Sequence, residues 1–321
     1  MARDRQPNQV NRREWLKAAC GALALAPAIA PAEDRIREKA KKNIKLAIFG
    51  RTYSALPLEQ AAQKIKADGF RGVILDFEYA DVHFDPIAPD WGAAKRITEC
   101  FGRHGIEIGG LTSYYNVVDP EIARRERGEK HMQFMIANWK RLGSPIIATG
   151  TGSLNPKSEW LESPENATEN AYLQCRSNLE KLVKQAEKTG AVVAIEPYWR
   201  NVIDSVERTE RLFREVNSPS LRLVMDPCNY YRKENLAKMQ PILEDIFRRV
   251  GQRTVLAHAK DVKAAANGTD LPAAGLGVLD YPLFLRLLAQ LGREVYLVVE
   301  HLTLEDVPRV RDFVLSQLER V

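Results

Sequence analysis

The chain has 321 residues, of which 45% are apolar and 28% are charged, a composition typical of a folded globular protein. Its formal net charge is +5, but residues 1–32 contribute +3 of this, from five basic minus two acidic side chains. Because the rest is close to neutral, the sequence lacks the concentrated basic face that nucleic-acid-binding proteins carry, and we expect no nucleic-acid partner.

The first predicted element is an export signal in residues 1–32. Two arginines at positions 12 and 13 precede an apolar run that is too short to span a bilayer and ends in an A-x-A cleavage pattern at residues 30–32. The arginine pair followed by Trp and Leu favours the twin-arginine pathway, with an ordinary Sec signal as the alternative. We therefore expect the twin-arginine translocation machinery as a partner, a periplasmic or extracellular location, and no membrane anchor after cleavage.

A charged segment, residues 33–43, is predicted as a linker, and beyond it short apolar runs alternate with segments of helical periodicity. Such near-continuous apolar runs are typical of parallel strands that are covered on both sides. The eight predicted strands are residues 44–50, 72–77, 106–112, 145–152, 191–196, 221–226, 254–261 and 294–300. Several of the helical segments end in glycine, the residue expected just past a helix.

Eight strand–helix units predict a single (β/α)8 TIM barrel over residues 44–321, with no second domain. A doubly wound open sheet is the alternative. That fold usually carries a glycine-rich phosphate-binding turn after its first strand, and the segment FGRTYS at residues 49–54 is not such a turn.

The last four predicted strands each end in a potential metal ligand, and these are Glu196, Asp226, His258 and Glu300. In a (β/α)8 barrel the carboxyl ends of the strands meet at one face. Three carboxylates beside a neutral imidazole would repel each other there unless a cation lay between them. Taken singly, each residue would be explained as a cap, a turn residue, a salt-bridge partner or a core histidine, but the shared face favours a metal site. Oxygen-rich ligands with one nitrogen predict one divalent ion, with Mn²⁺ as first choice and Mg²⁺, Co²⁺, Fe²⁺ or Zn²⁺ as alternatives.

Several motifs resemble the xylose isomerase-like barrels known as sugar phosphate isomerases/epimerases, and the resemblance covers residues 44–320. The segments are IEPYWR, LVMDPCN, LAHAKD, GLGVLDYPLFLRLL and LVVEH, in the order of that family. The most specific are the H-x-K-D run at residues 258–261 and the G-x-G-x-x-D stretch at residues 275–280. The resemblance implies that the four strand-end residues bind one divalent metal, and that Glu196 and Glu300 form the acid/base pair on opposite faces of a sugar.

This site suits proton transfer next to a sugar carbonyl. A divalent ion that holds a carbonyl and a neighbouring hydroxyl stabilises an enediolate, while a carboxylate on each side removes or returns the proton. We therefore expect a metal-dependent isomerase or epimerase that acts on a small-molecule carbohydrate. Aromatic rings and polar groups near the strand ends are predicted to bind this substrate. They are Tyr198, Trp199, Arg200, Asn229, Lys260, Asp261 and Tyr114.

Two positions depart from the keto-sugar 3-epimerases of this family. Those enzymes have a Glu six residues after the strand-five ligand and a His three residues after the strand-six ligand, where this chain has Val202 and Asn229. Both departures weigh against simple ketohexose epimerisation. Elimination at C1–C2 of a 3-keto-glycoside in the same site is therefore the second hypothesis.

Two hypotheses from other classes rank lower. An endonuclease IV-like phosphodiesterase needs a three-zinc cluster with many histidines, and the chain has five histidines in all. A non-catalytic sugar-binding barrel would not need a metal flanked by two glutamates. The sequence leaves the oligomeric state open.

Overall fold

The eight apolar runs form eight parallel strands in the computed structural model, which describes residues 32–266 and 268–321. The strands are β1 (Ile44–Phe49), β2 (Gly72–Leu75), β3 (Glu107–Thr112), β4 (Ile146–Gly150), β5 (Val192–Glu196), β6 (Leu221–Met225), β7 (Thr254–Ala259) and β8 (Val295–Val299). Each strand pairs with its neighbour in sequence, and β1 also pairs with β8, so the sheet closes. In this closure Ala47 of β1 lies opposite Val298 on one side and Gly72 on the other. The predicted (β/α)8 barrel is confirmed, and the open sheet is excluded.

Helices surround the barrel and bury one apolar side each. Those in the described residues are α1 (Ala32–Asn43), α2 (Leu58–Ala67), α3 (Trp91–Arg103), α4 (Ile122–Leu142), α5 (Glu169–Thr189), α6 (Val206–Val216), α7 (Met239–Val250), α8 (Tyr281–Gln290) and α9 (Val307–Leu318). In α2, for example, Leu58, Ala61 and Ile65 are buried, at the spacing of one helix face. Helix α5 begins at the cap residue Thr168 and ends at Gly190, which adopts the left-handed φ of 76° that favours glycine.

The segment predicted as a linker, residues 33–43, lies in helix α1 and packs against α8 and α9. Ala40 is fully buried, and Ile36 packs against the same core. These two apolar side chains are four residues apart, so they lie on one face of the helix. The linker prediction is therefore wrong, because this charged segment also carries a narrow apolar face. Residues 1–31, which hold nearly all of the predicted signal peptide, lie outside the described residues.

The barrel interior is a separate apolar core, filled from β1 to β8 and closed at the amino ends of the strands. Its small and branched residues include Ala47, Ile74, Ala148, Ala194, Val224, Leu256 and Val298. At the closed end the ring of Tyr296 occupies space left by Gly72 and Gly109. A Cβ on these glycines would lie 2.6 and 2.8 Å from that ring. The carboxyl ends of the strands are therefore the end of the barrel where a ligand can bind.

In the part of the chain that the structure describes, no helix is long and apolar enough to cross a membrane.

Candidate active site

Four polar side chains from consecutive strands meet at the carboxyl end of the barrel. Glu196 ends β5, Asp226 directly follows β6, His258 lies in β7, and Glu300 directly follows β8. All four are buried, and one ligand atom from each lies within 4.8 Å of the others. The structure thus brings together the four residues that the sequence predicted as metal ligands.

Local structure directs these side chains into the barrel. His258 follows the interior residue Leu256 by two positions in β7, so both side chains point to the same side of the strand. The ring of Phe49, from the end of β1, packs edge-on against His258 with 5.5 Å between the ring centroids. Asp226 caps a short 3₁₀ helix, because its Oδ1 accepts a hydrogen bond from the backbone N–H of Cys228 at 3.1 Å.

Lys260 places a positive charge among the three carboxylates. Its Nζ lies 2.6 Å from Asp226 Oδ2, 2.9 Å from Glu300 Oε1 and 3.8 Å from Glu196 Oε1. The contacts with Asp226 and Glu300 are ionic, since neither oxygen accepts a hydrogen bond within the described residues. Three carboxylates and one ammonium leave a net charge of −2 while His258 is neutral.

The pKa values of the group show how strongly it attracts positive charge. Burial lowers the pKa of His258, but the nearby Glu300 and Glu196 carboxylates outweigh burial and raise it well above its ordinary value. Burial also opposes ionisation of Glu196, yet the charges of His258 and Lys260 lower its pKa to about 2. Burial raises the pKa of Asp226. The group therefore favours any added cation.

A divalent metal fits this arrangement. In the described part of the chain Asp226 Oδ2, Glu300 Oε1 and both ring nitrogens of His258 are buried without a hydrogen bond. The two oxygens contact the Lys260 ammonium, whereas the ring nitrogens of His258 have no hydrogen bond within the described residues, which is costly in a dry environment. Metal coordination would satisfy the imidazole. A charge of +2 would also balance the net −2 of the carboxylates and Lys260. The donors, three carboxylates and one imidazole, suit Mg²⁺ or Mn²⁺ as well as softer divalent ions.

Glu196 is held in a defined orientation by two hydrogen-bond donors. The hydroxyl of Tyr114 donates to Oε2 at 2.6 Å, and the side-chain amide of Asn229 donates to Oε1 at 2.8 Å. Burial, together with the charge of Glu196, raises the pKa of Tyr114 well above its ordinary value, so the phenol stays protonated and keeps donating. Asn229, one of the two departures from the keto-sugar epimerases, thus contacts the same carboxylate.

A cavity of about 440 Å³ opens above the four-residue group. It is lined by Phe49, Arg51, Tyr114, Trp160, Glu196, Tyr198, Asn229, Lys260, Leu271, Glu300 and His301. The ring centroid of Trp160 lies 6.1 Å from that of Tyr114 and 6.4 Å from that of Tyr198, so three aromatic side chains form one wall. A cavity of this size, mostly apolar with a few convergent polar groups, is typical of small-molecule sites.

The sequence of this barrel matches the family described as Xylose isomerase-like TIM barrel over residues 62–313, most of the chain. The chain belongs to this family. No curated protein sequence matches the chain at a significant level.

Solved structures with the same fold support the assignment at the level of architecture. A D-tagatose 3-epimerase-like protein is 17% identical, with a TM-score of 0.66, over 86% of this chain and 97% of that one. A 3-keto-D-glucoside 4-epimerase from E. coli is 17% identical, with a TM-score of 0.60, over 87% and 99% of the two chains. A Mycobacterium smegmatis xylose isomerase-like barrel, solved in complex with magnesium, is 14% identical, with a TM-score of 0.64, over 87% and 97%.

Four of the seven residues predicted to bind substrate line the cavity of this xylose isomerase-like barrel, and they are Tyr114, Tyr198, Asn229 and Lys260. Trp199 and Arg200 do not line it. Trp199 is buried, its indole N–H donates to Thr269 Oγ1 at 3.2 Å, and the Arg200 guanidinium lies 4.5 Å from its ring centroid. Neither side chain therefore belongs to the cavity lining, and their predicted contact with substrate stays a prediction.

Asp261, also predicted to bind substrate, does not line the cavity and instead binds backbone groups of a neighbouring loop. Its carboxylate accepts hydrogen bonds from the backbone N–H groups of Val262, Gly275 and Leu279 at 2.9 to 3.0 Å. A Cβ at Gly277 would lie 2.5 Å from Asp261 Oδ1, so the loop can wrap the carboxylate this closely only with glycine there. The two motifs are therefore in contact, because the aspartate of H-x-K-D binds the backbone of the G-x-G-x-x-D stretch.

Sequence reasoning missed Trp160 as a cavity residue. Trp160 lies in the long loop between β4 and α5 and is 43% exposed. The sequence did contain a signal, namely a tryptophan in a mostly polar loop directly after a barrel strand. Loops in this position build the active sites of (β/α)8 barrels. Phe49 was also missed, because it ends an apolar run and is indistinguishable there from a core residue.

Proposed function

We propose that the protein is a divalent-metal-dependent sugar isomerase or epimerase that moves a proton at the carbon next to a carbonyl. The observation that carries the proposal is the buried group of Glu196, Asp226, His258 and Glu300 beneath a cavity with an aromatic wall. Membership of the xylose isomerase-like family supports it, as do similar structures named as epimerases and one solved with magnesium.

The four buried residues would hold one divalent ion, with Mn²⁺ as first choice. When bound, such an ion polarises a carbonyl oxygen and makes the neighbouring C–H more acidic. The ammonium of Lys260 contacts the carboxylates of Asp226 and Glu300. It thereby reduces the negative charge of the four-residue group, both before and after substrate binds.

The two glutamates perform the proton transfer in this proposal. Glu196 accepts the proton from the carbon next to the carbonyl, and Glu300, which lines the cavity and takes up a proton from water there, returns one on the other side. Tyr114 and Asn229 fix the direction of the Glu196 oxygens, while the ammonium of Lys260, 2.9 Å from Oε1, fixes Glu300. Because both carboxylates are held at defined positions, their placement contributes more than their basicity.

Elimination from a 3-keto-glycoside is the second candidate, because one observation weighs against a free ketose as substrate and one similar structure is named for a 3-keto-glucoside. Val202, which stands where the epimerases have a further glutamate, is fully buried, and its N–H bonds to the Gly152 carbonyl at 2.9 Å. It therefore contributes no polar group to the cavity. One of the similar structures is a 3-keto-D-glucoside 4-epimerase. In this reaction Glu196 accepts the C2 proton, a C1=C2 double bond forms, and the C1–O bond breaks. The released oxygen takes up a proton, so the substituent leaves as an alcohol and the proton count is balanced by the one that Glu196 removed.

We also propose that the chain is exported by the twin-arginine pathway. The support is the sequence of residues 1–32 alone, with its arginine pair, short apolar run and A-x-A pattern. Expression with a lysine pair in place of Arg12 and Arg13 tests this proposal. Loss of export is expected, and unchanged export would contradict the twin-arginine assignment.

Proton–deuterium exchange tests the proposed chemistry. The Mn²⁺-loaded protein is incubated in D₂O with a panel of ketoses and 3-keto-glycosides, and deuterium incorporation next to the carbonyl is followed by NMR. Glu196→Gln and Glu300→Gln keep the shape of the side chain but cannot accept a proton, so each should reduce exchange at least 100-fold.

Glu294→Gln is the matched control, because Glu294 directly precedes β8, is exposed and pairs only with Lys45 in the described residues. A surface ion pair of this kind contributes little, so exchange should be unchanged. Full exchange in either active-site variant would disprove the acid/base assignment. Exchange without product from a substrate would still identify the substrate class.

A further inference from the structure

A second cavity of about 450 Å³ lies beside the first at the same end of the barrel. The two cavities share Arg51 and Tyr114, so together they form one elongated depression across the barrel face. The second cavity lies over the ends of β2 and β3, whereas the proposed acid/base residues lie on β5 and β8. It is as large as the first cavity and therefore has room for a ligand group of similar size.

The boundary between the cavities is an ordered pair of charges. Asp76, at the end of β2, accepts hydrogen bonds from the backbone N–H of Arg51 at 3.0 Å, its guanidinium at 3.2 Å and Thr112 Oγ1 at 2.9 Å. The guanidinium also lies 3.8 Å from the ring centroid of Phe49 and stays half exposed. Arg51 has five N–H donors, so it can still donate to a ligand that crosses from one cavity to the other.

The floor of the second cavity offers neutral hydrogen-bonding groups. Ser113 Oγ lies 2.8 Å from His131 Nδ1, and both side chains line the cavity. Burial lowers the pKa of His131, which keeps the imidazole neutral at pH 7. A neutral imidazole has one donor and one acceptor nitrogen, and a sugar hydroxyl can also both donate and accept a hydrogen bond. The two groups are therefore suitable hydrogen-bonding partners.

The side wall combines aromatic rings with a strained backbone. Phe77 and Phe84 line the cavity with 5.2 Å between their ring centroids. Phe77 adopts a φ of 60°, a left-handed conformation that is unusual for a bulky residue. Phe77 directly follows Asp76, and such a strained conformation persists only where the surrounding structure holds it in place. Strained residues of this kind are common at binding sites.

The charges of the lining exclude a phosphate as the preferred ligand. The Asp and Arg side chains that line it are Arg51, Asp76 and Asp85, and Arg51 is already paired with Asp76. A phosphate site needs several unpaired donors or cations. Hydroxyl-bearing rings, in contrast, suit a lining of aromatic faces, hydroxyls and neutral imidazole.

We propose that the second cavity binds a second, uncharged sugar unit of the substrate, whose reacting ring lies between Glu196 and Glu300. This inference rests on the proposed function for the identity of the reacting ring, and it narrows the substrate class to a disaccharide or a glycoside with a sugar-like substituent. A single free ketose would leave half of the depression unused.

Calorimetric binding to the Mn²⁺-loaded protein tests the inference separately from catalysis. The probes are methyl β-D-glucoside with one ring, the disaccharides cellobiose, maltose and trehalose, and glucose 6-phosphate. At least one disaccharide should bind about tenfold more tightly than the methyl glucoside. His131→Ala should then weaken that disaccharide roughly 3- to 10-fold, the effect of one lost hydrogen bond, and leave methyl glucoside binding unchanged.

His83→Ala is a second variant in the same cavity. Because His83 is exposed, this variant should fold even if His131→Ala does not. Lys130→Ala, beside His131 on α4 but exposed, is the matched control. The inference is overturned if no disaccharide binds more tightly than the methyl glucoside, if both cavity variants leave binding unchanged, or if glucose 6-phosphate binds most tightly. Absence of proton exchange would instead contradict the proposed function and leave the binding comparison valid.

Discussion

Tyr114 is the residue through which the orientation of the proposed base can be tested. Its hydroxyl donates to Glu196 Oε2 at 2.6 Å inside a buried site. A hydrogen bond to a charged group contributes about 1.5–3 kcal/mol. We therefore expect Tyr114→Phe to lower kcat for proton exchange roughly 10- to 100-fold. The Michaelis constant should change little, because the ring that contacts the substrate remains.

Tyr198→Phe is the matched control for this measurement. Tyr198 lines the same cavity and belongs to the same aromatic wall, but within the described residues its hydroxyl makes no hydrogen bond with Glu196. Its removal should change kcat less than threefold. Equal losses in both variants would mean that Tyr114 acts only as part of the wall.

The meeting of the four proposed metal ligands could be predicted because a topological rule places them. Glu196, Asp226, His258 and Glu300 each stand at a strand end, and parallel strands in a barrel bring these ends together. No such rule places loop residues. Trp160 reaches the cavity through a loop that is shaped by Asn166, whose side chain donates to Ser153 Oγ and to the backbone oxygen of Arg200, both at 2.9 Å. Those contacts join distant parts of the chain, and local sequence does not show them.

At the scale of elements, the strands and the principal helices were predictable, whereas α1 was not. The barrel strands are continuous apolar runs, and each one produces a clear signal by itself. Helix α1 buries only a few side chains, such as Ile36 and Ala40, within a highly charged segment. Its helix is stabilised by packing against α8 and α9, which composition alone does not reveal.

The contact between α5 and α6 contains a charge cluster that should control stability at acidic pH. Glu215 on α6 accepts hydrogen bonds from Arg211 at 2.7 Å, Arg176 at 2.7 Å and Tyr172 at 3.0 Å. The bond with Arg211 is the main cause that lowers the pKa of Glu215 to about 2, against the opposing effect of burial. A lowered carboxyl pKa stabilises the fold fully above the unfolded value near 4.5, and this stabilisation is lost as pH falls towards 2.

Glu215→Gln should therefore destabilise the protein at pH 6.5 and do so less at pH 3. The free energy of unfolding of the wild type and the variant, measured in urea at both pH values, gives the difference. Glu180→Gln on α5 is the control, because Glu180 forms only an i,i+4 surface pair with Lys184 in the described residues. If the difference in the free energy of unfolding between wild type and Glu215→Gln is the same at both pH values, the proposed link between the Glu215 pKa and stability is contradicted.

At the scale of the whole molecule, the barrel is closed at one end and carries the candidate active site at the other. Tyr296 fills the amino end, where Lys45 bridges Glu107 and Glu294 at 2.8 and 3.1 Å. At the carboxyl end, three buried carboxylates lie beneath the first cavity, and the second cavity adjoins it. Like charges held together in this way destabilise the fold, and the rest of the barrel compensates for that cost. Stability and metal binding should therefore be coupled.

Metal binding should raise the melting temperature of the whole protein. An ion at 100 times its dissociation constant stabilises the folded state by about 2.7 kcal/mol, which corresponds to a rise of roughly 3 to 5 °C for a chain of this size. Differential scanning calorimetry of chelator-treated protein with and without Mn²⁺ measures this rise, and elemental analysis should find one ion per chain. Asp226→Asn should abolish the rise, whereas Glu59→Gln, in the other group of candidate ligands with Cys100 and His104, should preserve it. A rise in melting temperature that survives Asp226→Asn would place the ion elsewhere. In the elemental analysis, three zinc ions per chain would support the phosphodiesterase, and no bound ion would support a non-catalytic sugar-binding barrel.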